Sequence, residues 1–351
     1  MNQNNSHRPR ILLIYTGGTI GMIENADTKS LQPFDFDHLI DNVPKLKMLN
    51  YVIDNVSFNP PIDSSDMSPE HWEEIARVVE QHYDNYDGFV VLHGTDTMAY
   101  TASALSFMLE NLRKPVIITG SQLPIGEVRT DGEENLITAV QIAAALDRHG
   151  APMVQEVAIL FENYLWRGNR STKRSADNFN AFKSHNYPQL AKIGLDINFH
   201  EEALYRLKGD EPFRVNYGLD KRIVVIDLYP GMRAEVFRYA LNMPDTKGVV
   251  LRSFGAGNAP TAPWFVNGLK DAVERGLVVF NVTQCVGGSV LPGLYAASDA
   301  LAHAGVISGA DITTEAAIAK MMFLFGQGLD AAEVAKRLPK SLRGEMTEAT
   351  H

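Results

Sequence analysis

Short, wholly apolar runs alternate along the chain with longer stretches in which apolar residues return at helical spacing. In the first half the short runs are Ile11 to Tyr15, Gly88 to Leu92, Pro115 to Ile118 and Val157 to Phe161. Each closes on a turn signal, the pattern of a core strand buried on both faces of a parallel sheet. Between them, Ser68 suits a helix N-cap and Pro69 the first helical position, and Trp72, Ile75, Ala76 and Val79 then recur on one face. A strongly helical run follows HGTDT at His93 to Thr97, and Asn135 to Leu146 reads as a further helix. Between Arg206 and Asp220 the period is lost and glycine, proline and charge gather, as in a linker. A second set follows, with strands at Ile223 to Leu228, Gly248 to Leu251 and Val278 to Val282 and helices from Pro263 and near Thr314 to Phe325. Strands alternating with helices predict an α/β protein: a larger N-terminal domain on a mainly parallel sheet (residues 1–205), a linker (206–220) and a smaller C-terminal α/β domain (221–351). No internal repeat or low-complexity tract interrupts the pattern.

Composition narrows the class without changing this picture. The length of 351 residues fits two domains of ordinary size, and 45% hydrophobic with 21% charged residues fits a globular protein. A net charge of -10, from 32 basic and 42 acidic residues, disfavours a general nucleic-acid or anionic-membrane surface. The single cysteine, Cys285, has no partner for an intramolecular disulfide and fits a reducing compartment. The polar start, MNQNNSHRPR, has no apolar signal region, and no run approaches the roughly 18 apolar residues of a membrane helix. A cytoplasmic location is expected.

Candidate chemistry collects where the strands end. TGGTIG, Thr16 to Gly21, follows the first strand; Gly17 and Gly18 let backbone approach a ligand closely and hold Thr19 at the carboxyl end, where open α/β sheets bind ligands. The same letters also fit a plain tight turn, and they lack the lysine and the glycine spacing of a phosphate loop. The polar segment Ile23 to Leu31 is placed to act as a lid. Asp63, Ser64, Ser65 and Asp66 serve either as cap and turn residues or as a grip for a small polar ligand. His93, Thr95, Asp96 and Thr97 crowd another strand exit; His93 reads as a structural histidine, but three side-chain oxygens exceed what capping needs. Ser121-Gln122 ends a third strand, and a polar, irregular stretch carrying Lys173 follows a fourth. No H-E-x-x-H, G-x-S-x-G or calcium-loop pattern occurs, so hydroxyl nucleophiles remain. A threonine needs an activating base or relay, and Thr95, Asp96 and Lys173 form one if the Lys173 segment folds over the HGTDT exit.

TGGTIG together with HGTDTMAYTASALSF resembles the paired signature of the bacterial-type L-asparaginases, and the remaining segments are similar to the cytosolic, type I branch. The resemblance spans Ile11 to about Thr347 and implies an amidohydrolase that needs no cofactor and assembles as a homodimer or homotetramer. Thr19 then matches the nucleophile, and Thr95, Asp96 and Lys173 match the second catalytic triad. Asp63, Ser64 and Ser65 match the segment gripping the α-groups of L-asparagine, helped by Thr95 and Asp96. RSFGAGNAP and TQC resemble the lining of a second, allosteric asparagine site, making Thr172, Arg252, Asn258 and Cys285 candidates there. The family's tyrosine about ten residues after the nucleophile is missing: Lys29, Ser30 and Leu31 stand nearby, and Tyr295 is the candidate substitute. Two other readings remain, a glutaminase or asparaginase of broad specificity and a non-catalytic amino-acid sensor on the same fold.

Overall fold

The structure, a computed structural model, describes residues 8–24, 31–33, 43–291 and 296–348. The expected lid falls mainly on residues 25–30, which lie outside the described residues, as does Tyr295. The described chain divides into two compact units, one up to Ser184 with Pro188–Val215, the other His185–Tyr187 with the residues from Asn216 onward.

The first unit is built on an eight-stranded sheet. Its order is Ile197–Phe199, Ala191–Ile193, Tyr164–Arg167, Val157–Phe161, Val116–Thr119, Gly88–Leu92, Arg10–Tyr15 and Val52–Ser57. The last five of these run parallel, while Tyr164–Arg167, Ala191–Ile193 and Ile197–Phe199 extend the sheet antiparallel. The parallel strands read as unbroken apolar runs because both faces are covered; Ile11, Leu12, Leu13 and Ile14 are fully buried, as are Phe89 to Leu92. Helix Pro69–His82 buries Trp72, Ile75, Ala76 and Val79, the face its spacing predicts. Helix Met98–Met108 buries every residue but Tyr100, so it carries almost no polar face.

In chain order the five parallel strands lie 2-1-3-4-5: the chain leaves Arg10–Tyr15 for one side, adds Val52–Ser57, then returns across it to Gly88–Leu92. Ligands in open α/β sheets bind outside the strand ends where the order reverses. Here that point lies between the exits of Arg10–Tyr15 and Gly88–Leu92, the two segments that carry TGGTIG and HGTDT.

The antiparallel extension differs from the irregular stretch expected after Phe161. Glu162 takes φ 54 in a tight turn, Tyr164–Arg167 folds back on Val157–Phe161, and Thr172–Lys173 pairs antiparallel with Phe182–Lys183. Strands of two to four residues are too short to show a period. Arg214–Val215, within the stretch 206–220, pairs with Leu109–Glu110.

The second unit carries four parallel strands in sequence order, Ile223–Asp227, Gly248–Ser253, Val278–Thr283 and Ile307–Ser308. Its aromatic core centres on Phe237 and Phe265, stacked at 4.4 Å with Trp264 edge-on to both.

Candidate functional site

The first strand continues past Tyr15 as if still in the sheet: Thr16 N–H donates to Leu92 O at 3.0 Å, and the Thr16 hydroxyl donates to the same carbonyl at 2.9 Å. Thr16 is thereby committed to the scaffold. Gly17 and Gly18 then take φ 139 and φ 89. A Cβ on Gly17 would lie 2.1 Å from Ile62 O, and one on Gly18 would lie 2.5 Å from Gly94 N. Both positions therefore need glycine for space as well as for dihedral. A Cβ on Gly94 would in turn meet Ser64 Oγ at 2.5 Å. Three bare backbones thus pack the TGGT, IDSSD and HGTDT segments against one another. Thr19, half-buried, opens a single 3-10 turn, Thr19–Gly21, in which Gly21 N–H donates to Gly18 O at 3.2 Å. Tyr15 lies under this turn, its hydroxyl donating to Gly21 O at 3.2 Å, and burial pushes its pKa up to about 12.

The Ile62 to Asp66 segment is tied to the same place, for Ile62 N–H donates to Thr16 O at 2.7 Å. Asp63 caps the turn Ser64–Asp66, accepting from Ser65 N–H and from the Ser65 hydroxyl, each at 2.9 Å. These bonds hold its carboxyl below the usual range, so it stays an anion. The carbonyl of buried Ser64 accepts from Thr97 Oγ1 at 2.7 Å, locking this turn to the HGTDT exit.

At that exit His93 is wholly buried. Trp72 Nε1 can only donate, and does so to Thr101 Oγ1 at 2.9 Å; the Thr101 hydroxyl then donates to His93 Nε2 at 2.8 Å. The ring proton is thereby assigned to Nδ1, which donates to Gly94 O at 2.6 Å. Both nitrogens are satisfied in the neutral form, and burial lowers the pKa to about 4. The structural reading of His93 fits this network.

Thr95, Asp96 and Lys173 come together across 77 residues of sequence. Lys173 Nζ donates to Thr95 Oγ1 at 2.8 Å and to Asp96 Oδ1 at 2.6 Å. The lysine side chain is 17% exposed and that of Asp96 67%, so the amine sits at the mouth of the site with its partner carboxylate facing solvent. Lys173 reaches this position because the short hairpin of Thr172–Lys173 and Phe182–Lys183 places it opposite the HGTDT exit.

Gln122 enters the sequence reading only with Ser121, as the third strand exit, and with no role of its own. Its N–H and that of Leu123 donate to the Asp131 carboxylate at 3.0 to 3.2 Å, and Asn135 Nδ2 donates to Asp131 Oδ2 at 3.2 Å. Burial nevertheless pushes the Asp131 carboxyl up from its ordinary value. Glutamine belongs to no catalytic motif, so only the neighbouring strand exit pointed here.

The residues assigned to a second asparagine site divide between the units. Thr172 opens the hairpin of the first unit. In the second, Arg252 Nη1 donates to Asp227 Oδ2 on the adjacent strand at 2.5 Å, while Arg252 Nε and Asn258 Oδ1 are buried without a hydrogen-bond partner among the described residues. Cys285 is exposed, and its N–H donates to Thr283 Oγ1 at 3.0 Å. Among the described residues, no group of three or more His, Cys, Asp or Glu side chains is arranged to hold a metal ion, and no helix is long and apolar enough to cross a membrane.

Comparison with known proteins follows the same division. The family model described as asparaginase, N-terminal, matches residues 10–205, and that described as glutaminase/asparaginase C-terminal domain matches residues 222–338. The chain is 45% identical over 340 residues to L-asparaginase 1 of Escherichia coli strain K12, covering 96% of this chain and 98% of that protein. It is 42% identical over 364 residues to the 60 kDa lysophospholipase of Mus musculus, covering 96% of this chain and 62% of that protein. Among solved structures, L-asparaginase I from Vibrio cholerae aligns with a TM-score of 0.88 at 44% identity, over 97% of this chain and 100% of that one.

Proposed function

The chain belongs to the asparaginase family, and on that premise we propose that it hydrolyses L-asparagine to L-aspartate and ammonia with Thr19 as the nucleophile. The Thr19 hydroxyl attacks the side-chain amide carbon, the C–N bond breaks, and ammonia leaves with the hydroxyl's proton, giving a β-aspartyl ester. Water activated at Thr95 and Lys173 then hydrolyses the ester and frees Thr19. Two steps through an ester replace one direct attack of water on a poor electrophile. The Asp63 carboxylate holds the substrate's α-ammonium, helped by Asp96, while Ser64 and Ser65 serve the α-carboxylate. N–H groups at the strand exits face the oxyanion in both steps.

The observation that carries this reading is the contact of Lys173 with both Thr95 and Asp96 at the switch point of the sheet. The Thr95 hydroxyl and the Lys173 amine together face an incoming water as a hydrogen-bonded pair, and the exposed carboxylate beside them offers the proton released from that water a way to solvent. Asparagine and glutamine differ by one methylene, typically worth about 1 to 3 kcal/mol of discrimination. Ammonia release measured side by side on L-asparagine and L-glutamine tests the substrate: the expected result is a clear preference for L-asparagine, and equal rates would make the enzyme one of broad specificity.

The same reading takes the protein as a homodimer or homotetramer, with Thr172, Arg252, Asn258 and Cys285 serving a second, regulatory asparagine site. The buried Arg252 and Asn258 atoms left without partners support that assignment, since a bound amino acid offers both a carboxylate and an ammonium.

A further inference from the structure

The Gln122 side chain bridges Thr95 and the tip of the hairpin that carries Lys173. Its Nε2 donates to the carbonyls of Ala176 at 3.3 Å and Asn178 at 3.1 Å, in the tip of the hairpin that carries Lys173. Carbonyls only accept, so the amide orientation is forced and Oε1 must face the other way. It faces Thr95 Oγ1 at 3.4 Å and accepts the threonine's proton. Thr95 Oγ1 in turn receives an N–H of Lys173 at 2.8 Å. The direction of the Thr95 hydroxyl is thereby fixed, with its proton toward Gln122 and a lone pair toward the lysine.

We propose that Gln122 is a positioning residue, which orients the Thr95 hydroxyl and ties the Lys173 hairpin to it. This rests on the roles given above to Thr95 and Lys173. Two features make the tether necessary. The ladder of the hairpin is short, Thr172 with Lys183 and Lys173 with Phe182, and beyond it the loop is tied mainly to itself, as by Arg174 N–H to Ala181 O at 2.8 Å, so these bonds shape the loop without fixing it against Thr95. Gln122, by contrast, has a backbone anchored through two N–H groups to the Asp131 carboxylate, which Asn135 also holds. The glutamine is therefore a short arm from a fixed base to the tip of that loop.

The substitution Gln122→Met keeps the length of the arm and removes all three polar contacts, while Gln122→Glu keeps an acceptor for Thr95 and sets an oxygen against the two carbonyls. Both enzymes are expected to melt close to wild type. Both should lose on the order of 10²-fold in kcat, as for an ångström-scale misplacement of a reacting group, with KM for L-asparagine within about twofold. If Gln122 acts through Thr95, the Gln122→Met and Thr95→Ala pair should be no slower than Thr95→Ala alone. Wild-type kcat in either glutamine variant, a change confined to KM, or losses that multiply in the double variant would overturn the proposal. Thr95→Ala alone separates the two levels. Full turnover in that enzyme would refute the role of Thr95 itself, whereas its inactivity beside a fully active Gln122→Met would refute only the positioning role.

Discussion

At the scale of single residues, the site separates side chains that build the scaffold from those proposed to react. Thr16 and His93 lie within three positions of Thr19 and Thr95, yet both are closed off by hydrogen bonds inside the scaffold. The buried His93 also carries a pH dependence. Its pKa is about 4 when folded and near 6.5 when unfolded, so between these values the unfolded chain binds the extra proton. Its contribution is fully present above pH 6.5 and is lost as pH falls toward 4, amounting to about 3 kcal/mol at most. Melting measured across that window should fall less steeply for His93→Gln than for wild type; parallel curves would show that His93 does not titrate in this way. The residues proposed to react stand out in the sequence because they sit in motifs, TGGT and HGTDT. Whether Lys173 reaches Thr95 was not legible, since a hairpin of two-residue strands leaves no period. Gln122 was invisible as more than a strand exit because its work is done by which way an amide faces, a property of the neighbours across 54 and 56 residues of chain.

At the scale of elements, the close approach of three loops depends on backbone without side chains. Gly18 is one such position, because its φ of 89 disfavours any L residue and an added Cβ would meet backbone at Gly94. Gly18→Ala should cost about 1 to 3 kcal/mol for the dihedral alone and, by spreading the TGGT and HGTDT exits, remove most of the activity. Gly126→Ala provides the control: nothing lies within 4 Å of its Cβ position, and stability should move by less than about 0.5 kcal/mol. Equal denaturation midpoints for the two variants would contradict this account. The parallel strands were legible as apolar runs, and helix Pro69–His82 as a periodic face behind a Ser-Pro start. The helix Gly132–Ala143 begins at Gly132 rather than Asn135 and ends before Leu146; its first turn is the polar GEE, whose acidic residues suit a helix N-terminus but break the apolar pattern. The antiparallel strands from Tyr164 to Phe199 escaped notice because each is short and several of their residues face solvent.

At the scale of the whole molecule, the two α/β units were legible from the alternation of runs and helices, while the features that tie the chain end into the second unit were not. Lys320 and Glu345 form an ion pair at 2.7 Å with neither side chain exposed. The lysine also donates to Leu338 O at 2.8 Å, and Glu345 accepts from the N–H groups of Leu342 and Arg343. Lys320 and the backbone N–H groups hold the Glu345 carboxyl below its usual range in spite of burial. Lys320→Met leaves that carboxylate buried with its cation gone and should cost about 3 to 5 kcal/mol, read as a lower urea midpoint at unchanged slope. A loss below about 1 kcal/mol would mean that water reaches the pair. A lysine in a helix interior and a glutamate near the chain end give no sign in sequence that they meet.

The most direct test of the central claim is ammonia release from L-asparagine by purified Thr19→Ala enzyme whose melting matches wild type. Thr19 is half-buried at the start of its turn and the described residues give its side chain no scaffold hydrogen bond, so the variant is expected to fold. With the nucleophile gone, release should fall to the level of an enzyme-free control. Turnover at more than a few per cent of the wild-type rate would contradict the assignment and shift the first chemical step to water.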